Sequence, residues 1–459
     1  MNYRKLITVP IAMIMLFVAV PGFAADVNEL ERRLDIVSEE LDRIKNSGGS
    51  GGGLASRTSV HGYGESHWEA VEGDAATVDH HRFVIGVHSE ITNWIHLNAE
   101  IDFEHAGSKI EFEFAHLDFL VSNELNFRAG TMLMPMGNLN EFHEPNNFYT
   151  TERPDFHSKI IPSTWQQAGA GLFGSKGDLT YRFYVTNAIL SLNGGEDSGN
   201  TRQIKPTDFI RSGRSMIGKN EKSIAVGNIA LTGRLEKKTP GGLLGFSFYT
   251  GDSTADRIDE GGNVTLITAD YKGKRGALDY DLGIAKGWVA DTQEINAACG
   301  TEVGGTNGCA GNTPKEAFGF LATLAVHVPE LMGMKTIHDW IPYIQYQNIR
   351  PEDEVGDGAT GDAGNNWEVL QIGFAYKPDP NVAFKAGYRI NYYGGTEASG
   401  ASPGDAGTSK TYFNFGLGTG LASEAIDVAI GSPGVSKVYI PAGEYHLEEP
   451  LVAMPVGRN

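Results

Sequence analysis

Apolar and polar residues alternate through most of the chain beyond residue 57. The clearest stretch places Ile95, Leu97, Ala99, Ile101 and Phe103 on one face, and the residues between them are His, Asn, Glu, Asp and Glu. A period of two is that of a β-strand, because successive side chains of a strand point to opposite faces of the sheet. The pattern therefore predicts strands that are apolar on one face and charged on the other.

Sixteen such segments follow one another along the chain. They begin near residues 57, 80, 94, 109, 124, 166, 178, 222, 242, 263, 276, 315, 336, 366, 382 and 410. The connections alternate between mostly tight turns and mostly longer polar loops, notably 135–165, 188–221, 290–314, 350–365 and 393–409. This layout predicts an all-β transmembrane fold, a 16-stranded antiparallel outer-membrane β-barrel at residues 57–421. A soluble β-sandwich is the alternative, but it does not require such regular loop asymmetry.

A different period precedes the strands. Apolar residues are spaced alternately three and four apart at Val27, Leu30, Leu34, Val37, Leu41 and Ile44. This is a heptad pattern, which predicts a coiled-coil helix at 25–46, and its mixture of Leu and Ile favours a trimer. A single solvated amphipathic helix is the alternative. The Gly/Ser-rich segment 47–56 is interpreted as a flexible linker.

The first 24 residues have the pattern of a secretory signal peptide. Arg4 and Lys5 precede an apolar run from Leu6 to Val20, and small residues precede a cleavage position after Ala24. Fifteen apolar residues form about 22 Å of helix, which is shorter than the hydrocarbon core of about 30 Å, so a membrane anchor is the weaker alternative. The chain is expected to be exported.

Charge and glycine content narrow the possible functions. The chain has 459 residues and a formal net charge of −20; without Arg4 and Lys5, the 37 basic residues become 35 against 57 acidic ones, a net charge of −22. This acidity argues against nucleic acid as a partner. The 59 glycines have no three-residue period, which excludes collagen. Several of them are predicted to face inward, bending the strands and leaving the lumen open, namely Gly86, Gly283, Gly319, Gly373 and Gly387.

The chain has two cysteines, Cys299 and Cys309, in a polar loop. In an exported protein a close pair of this kind favours a small disulfide. A redox-active pair or half of a zinc site lacks the usual CxxC spacing and nearby His ligands.

The third outer connection, 135–165, is long and rich in aromatic residues and proline. A loop of this kind needs a surface on which to pack, and a barrel of sixteen strands offers its lumen wall. We therefore expect the loop to fold inward, narrow the pore and set its selectivity.

Five segments of the chain carry a resemblance to a known family, namely Val60–His67, Asn140–Pro145, Glu152–Pro154, Ile161–Trp165 and Tyr376–Val382. On these segments the chain resembles the trimeric outer-membrane porins related to the phosphate-selective porins O and P. The resemblance runs from Arg57 to Leu421. It implies a sixteen-stranded barrel, a trimer and a third loop that acts as the constriction. The residues of that loop with polar side chains suited to the role are Asn140, Glu141, His143, Glu144, Glu152 and Arg153.

The chain departs from that family at its end. The final strand ends at Leu421 where the family has an aromatic residue, and residues 422–459 follow as an extension with no clear amphipathic pattern.

Charged residues on the polar faces of the strands are predicted to line the lumen. The basic ones are Arg82, Arg128, Arg182, Arg234, Lys385 and Arg389; the acidic ones are Glu100, Asp102, Glu104, Glu111 and Glu113. On different walls they would create a transverse field that favours small ionic solutes. The alternative is that they pair with one another and keep the lumen wet.

Catalytic and cofactor motifs are absent from the sequence. His143-Glu144 is followed by Pro145 and does not form an HExxH motif, and there is no GxSxG elbow, Walker loop or dinucleotide fingerprint. His80-His81 is interpreted as a solvated pair rather than as a metal site. We therefore expect a protein that is not an enzyme and has no cofactor.

The sequence as a whole predicts a passive diffusion channel for small hydrophilic or ionic solutes in the outer membrane of a Gram-negative cell, with the coiled coil in the periplasm. The expected partners are outer-membrane lipid, lipopolysaccharide and two further copies of the chain. The alternatives are a specific channel for phosphate or carboxylate anions, and a non-conducting barrel that acts as an adhesin or receptor.

Overall fold

The computed structural model describes residues 54–192, 203–214, 229–256, 258–259, 261–299, 311–394 and 409–420. The predicted signal peptide, the coiled coil, most of the linker and the extension 422–459 lie outside the described residues, as does Cys309. Those assignments, including the disulfide with Cys299, stay predictions.

Sixteen antiparallel strands form a closed barrel in which each strand pairs with its neighbours in sequence and β1 pairs with β16. The strands are β1 (Thr58–Val71), β2 (Thr77–Glu90), β3 (Ile95–Glu104), β4 (Lys109–Leu120), β5 (Asn126–Leu133), β6 (Gln166–Lys176), β7 (Leu179–Asn187), β8 (Ile229–Thr239), β9 (Gly242–Asp252), β10 (Asn263–Arg275), β11 (Leu278–Val289), β12 (Glu316–Val326), β13 (Asp339–Glu354), β14 (Trp367–Asp379), β15 (Val382–Tyr393) and β16 (Ser409–Gly420).

The helices are short; one precedes β1 along the chain, and the others lie in the connections between strands. They are the 3₁₀-helices Leu54–Arg57, Pro145–Asn147 and Ala363–Asn365, a π-helical turn Phe156–Ile160, and the α-helices α1 (Thr292–Ala298) and α2 (Val328–Leu331). Among the described residues, no helix has the length and hydropathy needed to cross a membrane.

The strand prediction is confirmed. Fifteen of the sixteen predicted starts lie within three residues of those observed, and the described part of the remaining strand, β8, begins at Ile229. Connections at one end of the barrel are mostly tight, as at 177–178 and 240–241, whereas those at the other end include the long ones. We call the long-loop end the outer end.

Side chains alternate between the two faces of the wall. In β11, Leu282 and Ile284 are exposed on the outside of the barrel, whereas the alternate residues Gly283 and Ala285 are buried inside. The exposed apolar residues follow the period-two pattern, which supplies the surface that a barrel presents to lipid.

The inside of the barrel is not uniformly polar. Val264 and Leu266 of β10 and Leu321 of β12 point inward and are fully buried in a cluster with the loop residues Phe156 and Trp165. Burial of side chains of this size stabilises the folded state by about 1.5–3 kcal/mol each. One side of the lumen is therefore a hydrophobic core that holds the third outer loop.

The inward glycines do not leave the lumen open, so that expectation is wrong. A Cβ atom on Gly283 would lie 2.8 Å from the Phe156 ring, and one on Gly319 would lie 2.9 Å from the same ring. A Cβ on Gly373 would overlap the hydroxyl of Tyr343. These glycines make room for aromatic side chains that fill the interior.

Candidate functional site: the lumen and its loop

The third outer loop, residues 134–165 between β5 and β6, is closed at its base by Asn140. The Asn140 amide donates to the carbonyl oxygens of Met134 (2.8 Å) and Trp165 (3.0 Å), and its Oδ1 accepts from the backbone N–H of Trp165 (2.8 Å). His143 contacts the Asn140 carbonyl through Nδ1 and Glu113 of β4 through Nε2 at 2.6 Å. Asn140 and His143 are buried and position the loop, rather than line an open path.

Beyond its base, the loop crosses the lumen and contacts the opposite wall. Three lysines from β10, β14 and β15 donate to three consecutive loop carbonyls. Lys272 donates to Asn147 (2.9 Å), Lys377 to Asn146 (3.1 Å) and Lys385 to Pro145. Within the described residues, none of these three ammonium groups forms an ion pair with a carboxylate. The segment 145–147 is therefore held by a positively charged part of the wall.

The next turn of the loop is held by polar contacts as well. The Asp155 carboxylate accepts from the guanidinium of Arg389 and, at 2.7 Å, from the indole of Trp367. The backbone N–H of Phe156 donates to Gln347 of β13 at 2.9 Å.

The predicted basic residues all face the lumen, and the arginines are paired with nearby carboxylates. Arg82 contacts Glu65 at 2.7 Å. Arg128 makes two hydrogen bonds to Asp118, at 2.7 and 2.8 Å.

Two further arginines share a carboxylate. Arg182 contacts Glu236 at 2.8 Å and Glu141 of the loop at 3.3 Å. Arg234 contacts the same Glu236 at 2.8 Å and Asp270 at 2.7 Å. These arrangements favour local pairing over a field between separate walls.

The predicted acidic residues cluster on β3 and β4. Glu113 is buried between His143, Tyr63 and Arg82, and Asp102 lies 3.8 Å from Arg82. Glu100 lies 3.4 Å from His61, and its carboxylate also lies within 4.8 Å of Glu113 and His143. Glu104 lies 3.9 Å from Lys109 at the outer end of the strands.

A cavity of about 390 Å³ opens between β1–β4, the third loop and the β7–β8 connection. Its charged lining residues are Glu65, His81, Arg82, Asp102, Glu104, His105, Lys109, Glu111, Glu113, Glu152, Arg153, Asp155, Arg211, Arg214 and Arg389. Because Glu104 and Glu111 lie near the outer ends of their strands, this outer cavity is on the outer side of the loop. Its lining mixes both signs of charge.

Two arginines, Arg211 and Arg214, lie close together in the β7–β8 connection at the edge of the outer cavity. Burial lowers the pKa of Arg214 to about 10, and the charge of the neighbouring Arg211 contributes to that lowering. Arg214 still donates to the carbonyl of Ser163 in the third loop. At neutral pH the guanidinium keeps its charge and fixes the loop at this edge of the cavity.

A smaller pocket of about 30 Å³ lies on the inner side of the loop, beside the inner ends of β10 and β11. Its lining includes Lys272, Asp279, Asp281 and Tyr149. Tyr149 donates to Asp279 at 2.5 Å, and Asn138 donates to Asp281 at 2.6 Å.

Phe148 lines both the outer cavity and the inner pocket. Its side chain is buried, and the Lys385 ammonium lies 3.9 Å from the ring centroid. Phe148 therefore lies between the two spaces.

The chain has the fold of the outer-membrane porins. The outer membrane channel DcaP of Acinetobacter baumannii has this fold, with a TM-score of 0.51, 10% sequence identity, and coverage of 79% of this chain and 97% of that one. The anion-selective porin from Comamonas acidovorans gives a TM-score of 0.47 at 10% identity, covering 79% of this chain and 99% of its own. At this level of identity the likeness shows the fold alone.

In sequence, the chain is 27% identical to an uncharacterized protein of Aquifex aeolicus (strain VF5). The alignment spans 340 residues and covers 72% of this chain and 74% of that protein. No protein-family model matches the chain.

Of the six loop residues proposed from the sequence, Glu152 and Arg153 line the outer cavity. Asn140 and His143 close the loop base, Glu141 pairs with Arg182, and Glu144 accepts from Asn147 at 2.7 Å. Phe148, Lys272 and Lys377 were not predicted from the sequence. The alternation contained a signal for both lysines, since Lys272 has the parity of the inward Asp270, and Lys377 that of the inward Ala375.

Proposed function

We propose that the protein is a passive outer-membrane diffusion channel for small hydrophilic or ionic solutes, and that the loop 134–165 controls the path. The observation that carries this proposal is that Phe148 borders both the outer cavity and the inner pocket. A solute that enters from outside meets the charged cavity first, passes the aromatic ring and then reaches the pocket beside Lys272. The protein is proposed to act without catalysis.

The position of the loop favours a channel over an adhesin or receptor. A barrel that only displays loops has no need to place an aromatic and charged segment across its lumen. Here Asn146, Asn147 and Asp155 are bonded to inward side chains of the opposite wall. A loop held in this way narrows the pore, as a selectivity element does.

The lysine contacts favour small anions at the constriction. The outer cavity carries both signs of charge, but the segment beside Phe148 is surrounded by Lys272, Lys377 and Lys385. Cations that form no ion pair within the described part of the chain lower the electrostatic barrier to an anion and raise it for a cation. Phosphate or carboxylate solutes fit this charge, and the geometry does not distinguish between them.

Conductance of the purified protein in planar lipid bilayers tests the proposal. We expect small stepwise currents and a reversal potential that indicates anion preference in a KCl gradient. Lys272→Gln and Lys377→Gln should shift the reversal potential toward cation permeability, whereas Lys176→Gln at an exposed inner turn should leave it unchanged. Folded, inserted protein that gives no current would contradict the channel, and an unchanged reversal potential would contradict only the role of the lysines.

We also propose that the channel is a homotrimer assembled through the heptad helix 25–46. Deletion of these residues should weaken the trimer, measured by sedimentation in detergent, while the barrel remains folded. A trimer of unchanged stability would show that the helix is dispensable.

A further inference from the structure

Two histidines and a glutamate meet where the third loop contacts the wall of the barrel. His67 lies on β1, His81 on β2 and Glu152 on the loop, and one ligand atom from each lies within 4.8 Å of the other two. The rings of His67 and His81 stack with centroids 4.7 Å apart. Two imidazoles and a carboxylate are a common donor set for zinc and related transition-metal ions.

Each histidine has a carboxylate on one of its ring nitrogens. His67 Nε2 lies 3.1 Å from Glu65 Oε2, and His81 Nδ1 lies 3.2 Å from Asp79 Oδ2. A carboxylate that accepts the N–H of one ring nitrogen fixes the tautomer and leaves the other nitrogen as the metal ligand. The available nitrogens are then Nδ1 of His67 and Nε2 of His81.

The Nδ1 atom of His67 faces the loop carboxylate directly. The His67 side chain is only 7% exposed, and its Nδ1 lies 2.5 Å from Glu152 Oε1. The nitrogen from the wall and the oxygen from the loop therefore already meet at one point. An ion between them would replace this ion pair after a small shift of the loop.

Charges around the three donors also favour a dication. Glu65 and Glu152 contact His67, and Asp79 contacts His81. Arg82 competes, because its Nη2 lies 3.1 Å from His81 Nε2. A metal ion that displaces this contact leaves Arg82 with its carboxylate partners Glu65, Asp102 and Glu113.

We infer that His67, His81 and Glu152 form a binding site for a first-row transition-metal dication such as Zn²⁺. His81 and Glu152 also line the outer cavity, so the remaining coordination position faces that space. Because Glu152 belongs to the loop and the histidines belong to the wall, the bound ion joins the two. The site does not depend on conduction, and its occupancy is measured without any channel activity.

A neighbouring set of donors is the competing location. Asp79 and His105 share His81 with the proposed site, but both histidines in that set already contact the same Asp79 oxygen, at 3.2 and 2.9 Å. The side chains of Asp79 and His105 are 36% and 44% exposed, whereas those of His67 and Glu152 are 7% and 43% exposed. The proposed site therefore contains a largely buried donor, His67, which the neighbouring set lacks.

Calorimetric titration of the folded full-length protein with Zn²⁺, after removal of bound metal with a chelator, tests the inference. We expect one ion per chain. His67→Gln and Glu152→Gln should each weaken binding about tenfold or more, as loss of a metal ligand or its support does. His80→Gln is the matched control, because His80 is adjacent to His81 but bonds to Ser66. His105→Gln should leave the affinity unchanged.

A spectroscopic readout separates loss of a ligand from loss of folding. Cu²⁺ bound to the wild-type protein should show nitrogen hyperfine coupling to two imidazoles in its electron paramagnetic resonance spectrum, and His67→Gln should show coupling to one. The β-sheet content measured by circular dichroism shows whether each variant is folded. Absence of saturable Zn²⁺ binding would overturn the inference, and so would weakening by His105→Gln without weakening by His67→Gln.

Discussion

The ammonium group of Lys385 lies 3.9 Å from the centroid of the Phe148 ring. The same group donates to the carbonyl of Thr150 at 3.0 Å and to that of Pro145. One buried cation therefore holds both the ring and the backbone on either side of it. A desolvated cation–π contact stabilises by about 2 kcal/mol, which fixes the ring between the outer cavity and the inner pocket.

Replacement of Phe148 by Ala should raise single-channel conductance several-fold. The ring is the side chain that borders both spaces, so its removal joins them without changing the charge of the path. Conductance in planar bilayers at fixed salt measures the effect. Phe246→Ala is the control, since Phe246 is exposed on the outside of the barrel. Equal conductance of wild type and Phe148→Ala would place the path elsewhere.

Replacement of Asn140 by Ala should destabilise the loop base. The side chain makes three hydrogen bonds to Met134 and Trp165, and each lost bond to a buried partner costs about 1 kcal/mol or more. We expect a loss of about 3 kcal/mol in the free energy of unfolding, measured by urea titration with tryptophan fluorescence. Asn93→Ala, at an exposed turn, should change stability by less than about 0.5 kcal/mol. Similar stabilities for the two variants would contradict the role of Asn140.

Replacement of Gly283 by Ala should displace Phe156. The added Cβ would lie 2.8 Å from the ring, and overpacking of this kind costs about 1–3 kcal/mol. Phe156→Leu in the same chain should recover part of the loss, which is a coupling that a double-mutant cycle measures. Gly261→Ala is the control because no atom of the described residues lies within 4 Å of the position that its Cβ would occupy. Additive effects of the two substitutions would show that they do not interact.

Stability should depend on pH through His327, which lies in the β12–β13 connection. Burial lowers its pKa, but hydrogen bonds to Asp279 and Asp339 outweigh burial and raise the pKa from 6.5 to about 9. The protonated form is favoured in the folded protein, so its stabilisation is fully present below pH 6.5 and is lost as the pH rises through 9.

The free energy of unfolding of wild type and His327→Asn, measured between pH 6 and pH 10, tests this dependence. We expect wild type to be more stable by about 1 kcal/mol at pH 6, a modest value because the groups are partly exposed to water. The difference should vanish at pH 10, and in a cycle with Asp339→Asn it should shrink at pH 6. A difference that does not change with pH would contradict the assignment.

The strands could be predicted from the sequence because the two faces of the wall meet different surroundings. Leu282 and Ile284 of β11 are exposed on the outside, and the intervening residues turn inward, so a period of two is imposed along the whole strand. The rule weakens at β10, where Val264 and Leu266 are apolar and face inward. Their surroundings are the packed loop, and a strand pattern contains no information about what fills a lumen.

The ion pairs inside the barrel could not be predicted from the sequence, because they depend on the register between neighbouring strands. Arg82 lies opposite Glu104 in the β2–β3 pair and opposite Glu65 in the β1–β2 pair. It contacts Glu65 at 2.7 Å. The alternation correctly assigns Arg82 to the inner face, but it does not show which neighbour the guanidinium reaches. Phe148 gives no periodic signal at all, because its position follows from contacts made by a loop rather than from a repeating strand.

The loop that crosses the lumen links parts of the chain that are synthesised far apart. Asn146 meets Lys377 and Asp155 meets Arg389, pairs separated by more than 230 residues. Closing such long segments is slow because their chain entropy must be lost before the contacts form. Before β14 and β15 join the barrel, the loop that carries Phe156 and Trp165 lacks its contacts with Lys377 and Arg389. We expect the two aromatic side chains to be exposed to water at that stage. We therefore expect docking of the loop, as well as pairing of strands, to limit the rate at which the barrel assembles.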